Sequence, residues 1–289
     1  MNTSHPAKPA ILTVSSHVVR GSIGNRAAVL ALEAMGFPVW AVPTVVLPWH
    51  PGHAPCGRFS ASDQEFKQLL DDIRISQWSV ELGGILTGYM ANVEQVLQTA
   101  QLIRFLREQK SDIKYVCDPV LGDAERLYID QDIACAIRDE LLPLCDIATP
   151  NRFELGWLAG VETPQTVEAI LAVSRTLDPN CLFVTSCPGD GPGEIGNLYL
   201  DDMKILLASH KTIYDPPKGT GDLTAALFIG HLMDGEDAKS ALKNTTSSVY
   251  QVLQHSALWG GDEMVLERDI VGWLNVTEQV AVKEIKETP

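Results

Sequence analysis

The sequence predicts an α/β fold in which a central, mainly parallel β-sheet has helices on both of its faces. Short apolar runs alternate with amphipathic stretches along the whole 289-residue chain, which is the pattern of repeated strand–helix–strand units. Hydrophobic residues make up 45% of the chain and charged residues 20%, as is typical of a globular protein. No linker, repeat or low-complexity tract interrupts the alternation. We therefore expect a single domain over residues 1–289, with its core at about 10–255.

The predicted strands are short and apolar. The first of them, residues 10–15, reads Ala-Ile-Leu-Thr-Val-Ser. A hairpin is predicted over residues 197–213, turning at Asp201 and Asp202. The other strands are predicted at 39–46, 84–87, 115–117, 147–148 and 182–185. The chain beyond about residue 272 is polar, and we expect it to be peripheral.

Several predicted helices have clear boundary residues. Ser62 and Glu65 form a capping box that opens one helix, and Gly36 closes another at its C-terminal cap. Thr163 and Pro164 are expected to open a further helix, because proline suits a first turn. The other helices are predicted at 25–35, 92–108, 129–142, 151–159, 221–233 and 237–255.

The chain is acidic, with a formal net charge of −15 and a pI of about 4.8. Such a surface repels phosphate backbones and anionic lipid, so neither nucleic acid nor a membrane is an expected partner. The six cysteines include no C-x-x-C pair, which indicates free thiols in a reducing compartment. The polar N-terminus lacks a secretory signal, and no run of about 18 apolar residues occurs. We expect a cytoplasmic protein.

The sharpest chemical signal is the sequence Lys218-Gly219-Thr220-Gly221-Asp222, which opens directly onto an apolar helix. Glycines let successive backbone N–H groups point at one anion, and the helix dipole adds to the attraction. Asp222 at the first turn is then placed to accept a proton from an alcohol that attacks a phosphate. The alternative is a structural turn in which Asp222 only stabilises the helix.

Acidic residues follow two other predicted strands. Asp118 and Asp123 come after the strand at 115–117, and Glu154 opens the helix that follows the strand at 147–148. Open α/β sheets bind ligands at the carboxyl ends of their strands, and carboxylates there suit Mg²⁺ beside the phosphates of ATP. The alternative for each acid is a solvated surface carboxylate. Their placement beside a phosphate-loop candidate favours an ATP-dependent kinase of a small alcohol.

Five segments of the chain carry a family resemblance. They are Ser16-His17-Val18-Val19-Arg20-Gly21-Ser22-Ile23-Gly24-Asn25, Cys117-Asp118-Pro119-Val120, Thr149-Pro150-Asn151 with Glu154, Thr185-Ser186, and Gly219-Thr220-Gly221-Asp222. In order and spacing, over about residues 10–255, they resemble the pyridoxal kinases of the ribokinase-like superfamily. The resemblance implies a ribokinase-like fold and a homodimer that phosphorylates the 5′-hydroxymethyl group of pyridoxal, pyridoxine or pyridoxamine. It also implies ATP, Mg²⁺ and a monovalent cation, K⁺ or Na⁺, as cofactors.

The resemblance further implies a role for each matching residue. Asp222 matches the catalytic base, and Gly219, Thr220 and Gly221 match the residues that bind the transferring phosphoryl group. The matching substrate-binding positions are Ser16, Ile23, Val45, Leu47, His50, Pro51, Tyr89 and Asp222. The matching nucleotide positions are Asp118, Asn151, Glu154, Thr185, Ser186, Ile213, Tyr214, Asp215 and Thr220. The matching metal positions are Asp123 for Mg²⁺, with Asp118, Thr149, Glu154, Thr185 and Thr220 around the cations.

The chain departs from the family pattern in the predicted acceptor pocket. Pro51 replaces a threonine whose hydroxyl contacts the substrate, and proline offers neither that hydroxyl nor an N–H group. Lys218 stands where an apolar residue usually lines the pyridine pocket. Two alternatives therefore stay open: a related kinase of another alcohol, such as hydroxymethylpyrimidine or a sugar, and a non-catalytic protein that binds a vitamer or a nucleotide.

Two further motifs resemble other kinds of site. Residues 191–196 spell G-x-G-x-x-G but run into a strand-like segment, whereas a dinucleotide site needs a helix there. His50, His53 and Cys56 lie in one proline-rich loop without a fourth ligand at suitable spacing, which argues against zinc. Neither motif changes the kinase prediction.

Overall fold

A computed structural model of the chain describes residues 8–123, 126–178, 181–277 and 280–286. Its strands are β1 (Ala10–Val18), β2 (Val39–Leu47), β3 (Leu82–Thr87), β4 (Lys114–Cys117), β5 (Gly122–Asp123), β6 (Arg126–Leu127), β7 (Ile147–Ala148), β8 (Leu182–Pro188), β9 (Glu194–Leu200), β10 (Ile205–Lys211) and β11 (Ala281–Glu284). Its α-helices are α1 (Asn25–Ala34), α2 (Asp63–Ile75), α3 (Val93–Gln109), α4 (Gln131–Ala136), α5 (Arg152–Ala159), α6 (Val167–Ser174), α7 (Thr220–Met233), α8 (Ala238–Leu258) and α9 (Ile270–Leu274).

Nine of the described strands form one sheet in the order β11-β10-β9-β8-β7-β4-β3-β1-β2. The pairs from β2 to β8 are parallel, and those that join β8, β9, β10 and β11 are antiparallel. The predicted hairpin is therefore confirmed as β9 and β10. The fold class is confirmed as an α/β fold with a mainly parallel sheet.

The core lies on both faces of this sheet. Successive residues of a strand point to opposite faces, so Ile11 packs into the cluster with α1, α7 and α8, and Leu12 packs into the cluster with α2, α3 and α5. In β4, likewise, Val116 packs into the cluster with α1, α7 and α8, whereas Tyr115 and Cys117 pack into the other cluster. The predicted layering, with helices on either side of the sheet, follows from this alternation.

Helix boundaries were predicted well where a side chain caps the backbone. Ser62 accepts a hydrogen bond from the backbone N–H three residues later and completes the predicted capping box of α2, and Asn151 forms a second capping box at the predicted start of α5. The predicted start at Thr163 was wrong, because Thr166 caps α6 instead by accepting a hydrogen bond from the Ala169 N–H. The predicted helix at 129–142 is also shorter. Its α-helical part is α4, and a wider π turn and a 3-10 turn that contains Pro143 follow it, since proline cannot continue the hydrogen-bond ladder.

The C-terminal segment corrects another expectation. Residues beyond 272 were expected to be peripheral, yet Trp273 is only 1% exposed and β11 pairs with β10 at the edge of the sheet. Met264 and Leu266 are also buried in the core, so the core extends past the predicted boundary at 255. In the described ranges, no helix combines the length and the apolar character needed to cross a bilayer.

Candidate active site

Several of the predicted site residues lie at the carboxyl edge of the parallel strands. Backbone hydrogen bonds continue past the strand ends, from the Gly88 N–H to the Val14 carbonyl and from the Asp118 N–H to the Thr87 carbonyl. The Thr149 N–H likewise donates to the Cys117 carbonyl. These bonds hold the loops after β1, β3, β4 and β7 side by side. A polar site at this edge is what a parallel sheet produces.

The predicted phosphoryl loop, residues 218–222, leads into α7. Gly219 precedes the helix with φ of 101°, a left-handed conformation that glycine adopts without strain. A Cβ atom there would lie 2.6 Å from the carbonyl oxygen of Ser22 and 3.1 Å from Ile23 Cγ1. The turn therefore fits only glycine, and the N-terminal amides of α7 form an anion-binding end of a helix.

Asp222 lies in the first turn of α7 and faces a polar pocket. The lining of this pocket includes Thr13, Ser15, Gly24, Asn25, Thr87, Asp118 and Asp222. Asp222 is half-buried. Burial raises the pKa of its carboxyl to about 6, although the Gly24 N–H, which donates to it, works in the opposite direction. A carboxylate with this pKa is ionised at neutral pH and basic enough to take a proton.

Asp118 lies across the same pocket from Asp222. It is 7% exposed, and Thr149 Oγ1 donates a hydrogen bond of 3.1 Å to its Oδ1. Burial raises the pKa of Asp118 well above its usual range, and the charges of Glu154 and Asp222 raise it further. A Cβ atom on Gly221 would lie 4.0 Å from Asp118 Oδ2. The structure thus brings the predicted phosphoryl loop and the predicted cation position Asp118–Thr149 together.

Glu154 has a structural task as well as a predicted binding one. Its Oε1 accepts hydrogen bonds from the N–H groups of Leu121 and Gly122, at 2.8 and 3.3 Å, and its Oε2 accepts one from the Asn151 N–H. Burial raises the pKa of Glu154 to about 7, although the hydrogen bonds from these three amides lower it. Both oxygens are therefore occupied by the backbone. In the described residues, no group of three His, Cys, Asp or Glu side chains is arranged to hold a metal ion by itself.

The predicted nucleotide residues fall into two groups. Thr185 is bridged to Asn151, its N–H donating to the Pro150 carbonyl, and so lies next to the Glu154 cap. Ser186 is exposed with φ of 59°. Positive φ is rare outside glycine and is typical of functional turns. Val120, beside Asp118, has the same kind of backbone with φ of 45°.

The second nucleotide group, residues 213–215, lies on the loop between β10 and α7. Ile213 packs against the core, whereas Tyr214 is 86% exposed. Asp215 has φ of 51°. No contact that is described for these three residues reaches the Asp222 pocket, and their role at the adenosine stays a prediction.

Four predicted substrate residues belong to one small apolar cluster, namely Ile23, Val45, Leu47 and Tyr89. The buried members of the cluster are Val18, Ile23, Val45 and Leu47, and Tyr89, Cys56 and Ala91 pack against them. We call this set the acceptor cluster. Tyr89 is also tied down by polar contacts, since Arg58 Nη2 donates to its hydroxyl at 2.5 Å. Apolar side chains of this kind are the usual lining of a small-molecule site.

Gly24 lies between the acceptor cluster and Asp222, because it directly follows Ile23 in the chain. A Cβ atom on Gly24 would lie 2.5 Å from Ser16 Oγ, so the two residues are in direct contact. Gly24 in turn donates its N–H to Asp222. The predicted ring contact and the predicted base are thus neighbours, although about 200 residues separate them in the sequence.

His50 and Pro51 belong to the loop formed by residues 48–53, here called the acceptor loop. His50 Nδ1 accepts a hydrogen bond from the Gly52 N–H at 3.1 Å. Burial lowers the pKa of His50, and the charge of Lys218 lowers it further. A Cβ atom on Gly52 would lie 3.3 Å from Lys218 Cε. The acceptor loop therefore touches the start of the phosphoryl loop, while Pro51 itself is exposed.

Three residues at this site had no predicted role, although Asn25 ends the first segment of the family resemblance. Asn25 Nδ2 donates to the carbonyls of Ser15 and Val42 and leaves Oδ1 without a partner at the pocket, and Thr13 Oγ1 is likewise unpartnered there. Glu263 contacts the acceptor loop through His53. Taken by itself, an asparagine at the start of a helix indicates a cap rather than a pocket.

Comparisons with known proteins show the family of the chain. A family model described as phosphomethylpyrimidine kinase matches residues 63–265. The pyridoxal kinase PdxY of Corynebacterium diphtheriae is 33% identical over 250 residues, which cover 84% of this chain and 88% of that protein. This chain belongs to the pyridoxal kinase family. Human pyridoxal kinase, another family member, is 30% identical over 85% of this kinase and 85% of its own length.

Solved structures extend the likeness to nearly the whole kinase. The pyridoxal kinase of Leishmania donovani in complex with ADP and pyridoxamine has a TM-score of 0.88 and 26% identity, over 96% of this kinase and 100% of that chain. The pyridoxal kinase of Entamoeba histolytica also has a TM-score of 0.88, at 23% identity, over the same shares of the two chains, and it supports the fold alone. The predicted membership and the ribokinase-like fold are confirmed.

Proposed function

We propose that this kinase transfers the γ-phosphoryl group of ATP to the 5′-hydroxymethyl group of pyridoxal. One observation carries the proposal: Asp222, in the first turn of α7, accepts a hydrogen bond from the N–H of Gly24, and Gly24 directly follows Ile23 of the acceptor cluster. The proposed base therefore lies close both to the acceptor cluster and to the N-terminal amides that we propose bind the phosphoryl group. Pyridoxal kinases related to this chain have been solved with ADP together with pyridoxamine or pyridoxine.

The chemistry follows from these positions. The carboxylate of Asp222 takes the proton of the hydroxymethyl O–H while that oxygen attacks the γ-phosphorus, and the bond from phosphorus to the bridging oxygen of ADP breaks. The N–H groups of residues 219–222 stabilise the negative charge of the transferring group. Ile23, Val45 and Leu47 hold the ring by apolar contact and keep water from the nucleophile.

Oxygen donors fit the implied cations at the opposite side of the pocket. Mg²⁺ prefers oxygen ligands, and Asp118 and Asp123 would hold it together with the phosphates, whose charge it would offset. Thr149, Thr185 and Thr220 would offer further oxygens to the proposed monovalent cation. Glu154 would act indirectly, since its oxygens are bonded to three backbone amides.

A panel of acceptors tests the proposal. We expect ADP to be produced with pyridoxal in the presence of Mg²⁺ and K⁺, and to a smaller extent with pyridoxine and pyridoxamine. Hydroxymethylpyrimidine belongs in the same panel, because Pro51 departs from the family and the matching family model is that of phosphomethylpyrimidine kinase. If the kinase turns over hydroxymethylpyrimidine faster than pyridoxal, the pyrimidine is its acceptor and the proposal for pyridoxal is wrong. Binding of pyridoxal without ADP production would contradict a kinase altogether.

The assembly and location of the enzyme complete the proposal. We infer a single-domain homodimer that acts in the cytoplasm in the salvage of vitamin B6. Family membership and the free cysteines support this inference. Sedimentation of the purified kinase would give the oligomeric state, and a monomer at micromolar concentration would contradict the dimer.

A further inference from the structure

A short segment near the C-terminus runs alongside the phosphoryl loop. Residues 262–264, here called the clasp segment, form a parallel bridge to Lys218. The Met264 N–H donates to the Lys218 carbonyl at 3.3 Å, and the Met264 side chain lies against Gly219, since a Cβ atom there would be 3.0 Å from Met264 Cε. The position of the clasp segment is thereby fixed relative to the residues proposed to bind the phosphoryl group.

The carboxylate of Glu263 extends from this segment to two other loops. Its Oε2 accepts a hydrogen bond of 2.9 Å from the Ser22 N–H, and its Oε1 lies 2.7 Å from His53 Nε2. Ser22 directly precedes Ile23 of the acceptor cluster, and His53 ends the acceptor loop. One carboxylate therefore joins both loops of the acceptor site to the phosphoryl loop.

The surroundings show that this carboxylate has a built position. Glu263 is only 4% exposed, and Gly21, with φ of 101°, leaves the space that it fills, because a Cβ atom on Gly21 would lie 1.5 Å from Glu263 Oε2. Arg20 lies 3.9 Å from Oε1 but forms its closer ion pair with the exposed Asp262.

Burial makes the partners of Glu263 important. A buried carboxylate without hydrogen bonds costs several kcal/mol, so it favours the conformation in which its partners stay in place. Opening the acceptor loop would take the imidazole of His53 away from Glu263. The carboxylate thus opposes opening and keeps the acceptor loop next to the phosphoryl loop.

We propose that Glu263 is a positioning residue that holds the acceptor loop, through His53, at a fixed distance from the phosphoryl loop. It contacts neither ATP nor the reacting hydroxyl and acts through the loops it joins. The inference rests on the proposed function, in which the acceptor cluster binds the ring of the substrate.

Steady-state kinetics of Glu263→Ala and His53→Ala test the proposal. Loss of a charged hydrogen bond in a well-packed site corresponds to roughly a tenfold change in an equilibrium constant or more, so we expect KM for pyridoxal to rise about tenfold in both variants, with KM for ATP unchanged. The double variant should be no worse than Glu263→Ala alone, because both changes remove the same contact. Glu263→Gln keeps the shape and one acceptor oxygen and should recover part of the loss.

Glu267→Ala is the matched control, since Glu267 is an exposed acid a few residues further along the chain. Its KM values should equal those of the wild type. A merely structural role of Glu263 would lower the amount of active enzyme and leave both KM values unchanged, which would overturn the proposal. If Glu263→Ala does not fold, an unchanged KM for pyridoxal in His53→Ala would overturn it equally.

The proposed function and the proposed role of Glu263 are tested by different measurements. Turnover of pyridoxal by the wild type tests the function, whereas the ratio of the variant KM to the wild-type KM tests the role of Glu263. If the wild type prefers another acceptor of the panel, the same ratio is measured with that acceptor.

Discussion

At the scale of single residues, burial of the Asp222 carboxylate has two opposing effects, one on its basicity and one on the stability of its charge. Its burial raises the pKa of the carboxyl to about 6, which makes it a better base and a less stable charge. The neighbouring Gly24 N–H and the turn at Gly219 fix its direction. Such a balance between reactivity and stability is typical of residues that act in chemistry.

We expect turnover to fall strongly when the proposed base, Asp222, is replaced. In Asp222→Asn we expect kcat to fall by about 10²- to 10⁴-fold, the usual contribution of a general base, while ATP binding stays the same. Wild-type kcat should also fall below about pH 6, because the carboxylate must be ionised to accept a proton, and this limb should be absent in the variant. Kinetics and ATP titration between pH 5 and 8 check both expectations.

Asp234→Asn is the control for this variant, since Asp234 follows the other end of α7 and pairs with Lys8. Its kcat should match that of the wild type. A kcat of Asp222→Asn near the wild-type value would remove Asp222 from the mechanism.

The same carboxylate predicts a dependence of stability on pH. A pKa raised from about 4 to about 6 on folding stabilises the native state below pH 4, and this contribution is lost as the pH rises through 6. Asp222→Asn should therefore have a free energy of unfolding on the order of 2 kcal/mol above that of the wild type at pH 8. The difference should shrink by pH 4. Urea unfolding at the two pH values measures it, and an equal stability at pH 8 would contradict the burial of the charge.

At the scale of elements, the start of α7 depends on the backbone as much as on side chains. Gly219 and Gly235 both have positive φ, of 101° and 83°. Only Gly219 is crowded, by the carbonyl oxygen of Ser22, whereas a Cβ atom on Gly235 would meet nothing within 4 Å. The two glycines therefore separate backbone strain from displacement of the phosphoryl loop.

The pair gives a matched test. Gly235→Ala should lose about 1 kcal/mol of stability through strain alone and keep its kcat. Gly219→Ala should lose more stability and reduce kcat by about 100-fold or more, since a displaced loop no longer directs its amides at the phosphoryl group. Denaturant unfolding and kinetics of both variants check this. A kcat of Gly219→Ala equal to that of Gly235→Ala would mean that the loop does not bind the phosphoryl group.

For the whole molecule, the last strand closes one edge of the sheet. Val280 is buried and donates its N–H to Ser247 Oγ at 3.0 Å, and β11 pairs with β10 along residues 281–284. Without β11, the edge of β10 would present unpaired backbone groups, which favour association with other chains.

Truncation after residue 275 should therefore lower the melting temperature and promote aggregation while kcat of the remaining monodisperse enzyme stays the same. The loss corresponds to about 2 kcal/mol for Val280 alone, plus the pairing of β11. A chain that ends at residue 286 keeps β11 and serves as control. Calorimetry and light scattering measure the two effects, and an equal melting temperature of both chains would contradict a stabilising role of the strand.

Most of the fold and part of the site could be predicted from local sequence. The capping boxes at Ser62 and Asn151 and the alternation of strands and helices involve residues within a few positions of one another, so a linear pattern contains them. The errors arose where local signals compete, as at Thr163 and Thr166, or where a polar segment such as β11 gains its place from a distant strand. No spacing in the sequence identifies Glu263, whose partner Ser22 is 241 residues away.

The sequence by itself determined the order of strands and helices, the glycine turn before Asp222 and the family to which the chain belongs, because these depend on neighbours along the chain. Only the tertiary structure decided that Gly24 and Asp118 lie beside Asp222, and that Glu263 joins the acceptor loop to the phosphoryl loop. The physical reason is that burial and hydrogen bonding act between groups that folding brings together. At Asp222, burial raises the pKa of the carboxyl and the hydrogen bond from the Gly24 N–H lowers it, and the balance of the two gives the site its chemistry.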